Sequence, residues 1–99
     1  MKNGLSYTEW FGRWKRAGSP KQPEHHYIIL VVWRDAAAAH EEDEAGTIRA
    51  YAAGFIHDAD RTEITIQTCA FEDGEGRAYF SIPARQVQYV VEVARVPGF

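Results

Sequence analysis

Four histidines, one cysteine and a short run of aspartates are the residues of this 99-residue chain whose types suit chemistry beyond packing. His57-Asp58-Ala59-Asp60 brings an imidazole and two carboxylates close together, the donor types of a metal site. Their spacing is not that of an established ligand set. His25 and His26 are adjacent, so on an extended chain they point to opposite sides. The aspartates are therefore read as turn caps, and neither a metal nor a cofactor is expected. A nucleophilic Cys69 needs a depressed pKa and access to solvent. It sits among strand-forming residues and is read as a buried, reduced thiol, with no second cysteine to pair with. No Gly-x-Ser-x-Gly, His-Glu-x-x-His or glycine-rich phosphate loop occurs, so the chain is not expected to be an enzyme.

The elements that would position these residues are legible from pattern. Ser6-Tyr7-Thr8-Glu9 is a capping box, with Leu5 and Trp10 spaced as a hydrophobic staple. Tyr7, Trp10, Phe11 and Trp14 recur on one stripe, Arg13, Lys15 and Arg16 suit the negative end of a helix dipole, and Gly18 suits a C′ position. The reading is a helix over about 6–17. Tyr27 to Trp33 is an unbroken β-branched and aromatic run, so the strand at 26–35 is expected to be covered on both faces. From Thr47 the pattern alternates: Ile48, Ala50, Ala52, Gly54 and Ile56 share one face, with Arg49, Tyr51, Phe55 and His57 on the other. A turn at 58–61, a strand at about 62–71, a glycine-containing hairpin loop at 72–76 and a short strand at 78–82 follow. Pro83 ends that strand, and Val87, Tyr89, Val91 and Val93 alternate along a fifth.

Length supports one domain, 1–99, with a helix, a sheet over about 26–96 and a short tail. The composition, 45% hydrophobic, 25% charged and 13% aromatic, is that of a globular protein. No apolar run approaches the roughly 18 residues of a membrane-spanning helix, and a lone cysteine suits a reducing, cytoplasmic setting. The net charge of −3 argues against a strongly basic nucleic-acid binder. Its distribution is uneven, because five of the eleven basic residues fall in the first 21 positions and half of the fourteen acids fall at 41–44 and 72–75. The acidic stretches are read as solvated loops.

The segments Gly54-Phe55-Ile56-His57-Asp58 into Ile64-Thr65-Ile66, and Tyr79-Phe80-Ser81-Ile82-Pro83 into Val87-Gln88-Tyr89-Val90, carry a resemblance in element order to the Sm/LSm-like small β-barrels, the group that includes the bacterial RNA chaperone Hfq. The match is one of layout. Thr62 and Glu63 stand where an Asn of the family belongs, and Ile82-Pro83 and Ala84-Arg85-Gln86 replace its other RNA-contacting motifs. SH3-like and PRC-type barrels share the same general layout. The expected fold is mainly β, an N-terminal helix followed by a five-stranded antiparallel, strongly bent sheet closing into a small SH3/Sm-like barrel.

Two binding functions follow. The resemblance implies a self-associating RNA-binding protein, with Arg61, Arg85, Gln86 and His57 as contact candidates and Tyr51, Phe55 or Tyr79 available to stack bases. The alternative is a protein-interaction module or small inhibitor subunit that anchors a partner through Trp10 and Trp14 with Arg13 and Lys15 beside them. A homo-oligomer fits either.

Overall fold

Ser6 starts the helix as its spacing predicts. In the computed structural model, which describes residues 4–21, 27–35, 48–70 and 76–95, the Ser6 hydroxyl oxygen accepts the Glu9 amide at 3.2 Å. Helix α1 spans Tyr7–Arg16. The far side of the capping box closes differently: Ser6 Oγ donates to Glu9 Oε1 at 3.0 Å. The C-terminus is a Schellman turn, in which the Ser19 amide reaches the Trp14 carbonyl and the Gly18 amide that of Lys15, with Gly18 at φ +93° as a C′ glycine should be. Both ends are thus set by local residues.

Six strands form one antiparallel sheet: β1 (Gly4–Leu5), β2 (Tyr27–Asp35), β3 (Ile48–Ala59), β4 (Glu63–Ala70), β5 (Gly76–Pro83) and β6 (Val87–Arg95), with a 3₁₀ turn at Ala84–Gln86. Their spatial order is β1-β6-β2-β3-β4-β5. Two parts of the expected fold are corrected here. There are six strands rather than five, because Leu5 pairs with Val90 as well as packing toward the helix. The sheet also does not close into a barrel. Closure requires β5 to reach the outer edge of β6, and β1 occupies that edge at Val90 and Val91. The helix does the covering that closure would have done.

The core lies between α1 and one face of the sheet. Tyr7, Trp10 and Trp14 meet Ile29, Val31, Trp33, Ile56, Ile64, Ile66, Ile82 and Val90. The expectation of a doubly covered β2 holds fully only on this side, because opposite it Ile28 and Leu30 are half-buried and Val32 alone is enclosed. In β6 the alternating residues Val87, Tyr89, Val91 and Val93 do not share one face. Register shifts between Ile28 and Ile29 and between Val32 and Trp33 change the phase, so Val90 enters the core and Val93 is 57% exposed. Cys69, expected to be buried, is exposed. Its register partner on β5 is Arg77.

Gly54 is required by close approach, since a Cβ there would stand 2.7 Å from the Gln67 carbonyl oxygen on β4. The same Gln67 has its side chain fully buried, with neither amide atom hydrogen-bonded. Ala78 on the edge strand has φ +57°, a left-handed conformation uncommon outside glycine. Among the described residues no helix is long and apolar enough to cross a membrane.

Candidate functional site

The turn between β3 and β4 organises the most suggestive surface. Asp60 Oδ1 accepts from the Thr62 amide and hydroxyl, both at 2.7 Å, and from the Glu63 amide at 2.9 Å. These bonds hold its carboxyl below the usual aspartate range, so the turn is organised around the Asp60 carboxylate. From the other side, Tyr7 Oη donates into the carbonyls of Asp60 and Glu63. Burial, then the charges of Asp60, Glu63 and Asp58, push the Tyr7 hydroxyl above its ordinary pKa. The turn-capping reading of Asp60 is thus a described contact.

Arg61 stands at the tip of that turn and is exposed. Because Tyr7 ties the turn to the helix, Arg61 comes to the helix surface, where it lines a notch of about 500 Å³ with Tyr7, Thr8, Phe11, Gly12 and Lys15. Phe11 stacks on Tyr7 with ring centroids 5.9 Å apart and planes 10° apart, presenting its outer side to the notch. A second link comes from the 3₁₀ turn, where the Ala84 amide donates to the Thr62 carbonyl at 2.8 Å. The turn bearing Arg85 and Gln86 is thereby laid against the turn bearing Arg61. Arg85 is exposed and Gln86 half-buried.

His57 makes its ring contact with Tyr79, edge-on with centroids 4.6 Å apart. It belongs to a bulge, since the register passes from Ile56 opposite Ile66 directly to Asp58 opposite Thr65. Tyr51 and Tyr79 are 61% and 51% exposed on the sheet, available for stacking, whereas Phe55 is half-buried. Asp58 does not join His57 and Asp60 around a common point. It pairs with Lys21 at 3.0 Å and accepts the Ala59 amide. Burial works against its ionisation, but these contacts prevail and hold its carboxyl below the usual range. Among the described residues no cluster of three or more His, Cys, Asp and Glu side chains is placed to hold a metal ion. His25, His26 and the acidic stretches 41–44 and 72–75 lie outside the described residues.

Of the four residues proposed as partner anchors, Trp10 and Trp14 are each 5% exposed and belong to the chain's own core. Trp14 Nε1 also donates to the Pro20 carbonyl at 2.8 Å. Arg13 and Lys15 are exposed, as residues on the helix's outward side should be. A notch partner that the sequence did not reveal is Phe11. Its place in the aromatic stripe reads as core, and its one distinguishing sign is that it stands four residues before Lys15 on the helix surface.

Compared with known proteins, the chain matches no family model, and no curated protein and no solved structure is significantly similar to it. The fold and the surface define a helix-covered, six-stranded antiparallel sheet with a basic and aromatic notch at one end.

Proposed function

We propose that the protein is a non-enzymatic, self-associating module that binds single-stranded RNA. The observation that carries this reading is the notch, where Lys15 and Arg61 flank the open face of Phe11 and Arg85 is held near the same turn. Single-stranded nucleic acid asks for this combination, cations for the phosphates and a flat aromatic surface for a base. Among the described residues none of the three pairs with an acid, the single ion pair being Lys21–Asp58.

Self-association is supported by the sheet edges. The outer edge of β5 pairs with no strand among the described residues, and it carries the exposed aromatics Tyr79 and Phe80. Among the described residues the outer edge of β6 is occupied at Val90 and Val91 alone. Unpaired edges of this kind are templates for another chain. After the short β1 the elements run helix, strand, long bulged strand, aspartate turn, strand, strand, 3₁₀ turn, strand, an order that supports the Sm-like resemblance. It favours an RNA partner and a ring of copies.

The test is fluorescence anisotropy with labelled single-stranded oligonucleotides across a salt series, beside native mass spectrometry. Binding should weaken as salt rises, and the Lys15→Ala/Arg61→Ala double variant should flatten the log–log slope by roughly 1.4 for two lost phosphate contacts. No binding at low salt overturns the RNA reading, and a clean monomer overturns the self-association.

A further inference from the structure

A second concavity lies on another flank of the helix and shares no lining residue with the notch. It is a cleft of about 540 Å³ between the C-terminal half of α1 and the sheet, within the roughly 300–1,000 Å³ of ordinary small-molecule sites. Its floor is made by Trp10, Trp14, Ile29 and Ile56, all members of the core. The cleft therefore reaches the apolar interior rather than lying on the surface. Tyr7 fastens the first turn of the helix to the 60–63 turn, and the Trp14 indole donates to the Pro20 carbonyl just past the helix end.

Two opposite charges stand at the mouth of this apolar well. Arg13 comes from the helix and Glu92 from β6, and both are exposed. They form no ion pair with each other or with any described residue, the single described pair being Lys21–Asp58. An anionic ligand is opposed by Glu92 and a cationic one by Arg13, whereas a molecule carrying both charges satisfies both. The core residues in the lining ask that the rest of the molecule be apolar, and the Trp10 and Trp14 indoles, stacked on each other with centroids 5.6 Å apart, make part of that lining aromatic. We infer that the cleft binds a zwitterion with an apolar body, an α-amino acid with an aromatic side chain, its carboxylate on Arg13 and its ammonium on Glu92.

The experiment is titration calorimetry of the full chain with L-phenylalanine, N-acetyl-L-phenylalanine, which lacks the cation, and L-phenylalaninamide, which lacks the anion. L-Phenylalanine should bind and quench or shift the emission of Trp10 and Trp14. Each single-charge analogue should bind roughly tenfold more weakly, as expected for loss of a charge-assisted contact. Arg13→Gln and Glu92→Gln change exposed side chains and should keep the circular dichroism and thermal midpoint of the parent while losing a similar factor. Ala17→Trp, which places a large side chain on the cleft wall, should abolish binding. Absence of binding by L-phenylalanine at millimolar concentration, or equal binding of all three compounds, overturns the inference.

Discussion

Tyr7 and Asp60 are 53 residues apart in sequence, and the tyrosine hydroxyl donates to the aspartate carbonyl at 2.6 Å, with the Glu63 carbonyl 3.0 Å away. This contact joins the first turn of the helix to the β3–β4 turn, and through it Arg61 reaches Lys15 and Phe11. Tyr7→Phe should cost about 1 kcal/mol, the net worth of one hydrogen bond, measured by urea unfolding. It should also weaken the notch's nucleic-acid binding while leaving the cleft on the other flank of the helix unchanged.

The same hydroxyl sets an alkaline limit. Its pKa is raised in the fold above the ordinary value of 10.0, so the fold favours the neutral form. The contribution is complete below pH 10 and is lost as pH rises beyond it, because the unfolded chain ionises first. Thermal midpoints of the parent should fall above about pH 10 more steeply than those of Tyr7→Phe.

On the acid side the sign reverses. Asp60 has its pKa lowered by the Thr62 and Glu63 hydrogen bonds, and Asp58 by Lys21 and Ala59 against the effect of burial. A depressed carboxylate stabilises above its unfolded value of 3.8 and loses that contribution as pH falls through the folded value. Asp60→Asn should therefore be less stable than the parent at neutral pH, and the gap should narrow as both are acidified below pH 4. Lys21→Met should change stability by less than about 0.5 kcal/mol, because the ion pair with Asp58 is exposed.

Gly54 and Gln67 form the tightest inter-strand approach described. Gly54→Ala drives a methyl group into a carbonyl oxygen 2.7 Å away and should cost about 1–3 kcal/mol as β3 and β4 separate. Gln67→Leu should act in the opposite direction. Replacing a buried amide without partners by an apolar side chain of similar volume should raise stability by about 1 kcal/mol, read as a higher urea midpoint with an unchanged slope.

Ala78 is a strained point on the exposed edge. At φ +57°, Ala78→Gly relieves a side-chain clash and should stabilise the fold by about 1 kcal/mol. If β5 pairs with another copy, the straighter edge that glycine permits should also shift the oligomer distribution seen by native mass spectrometry.

The sequence by itself determined what is local. The helix ends follow from Ser6 and Gly18, whose hydrogen bonds and dihedral angle depend on residues within five positions. The alternation from Ile48 to Ile56 chose the core face of β3, and Pro83 marked the end of β5. What the tertiary structure alone decided concerns pairing over long separations. A two-residue strand at Gly4–Leu5 has no pattern of its own, yet it occupies the edge of β6 and keeps the sheet open. Two bulges against β2 exposed Val93, a phase change that one strand's sequence cannot announce. Both concavities were hidden for the same reason. Lys15 and Arg61 line one notch because Tyr7 reaches across the chain, and Arg13 and Glu92 line one cleft because the helix lies against β6. Periodicity reports which side of an element is apolar, whereas a site is made by which elements are brought to face one another.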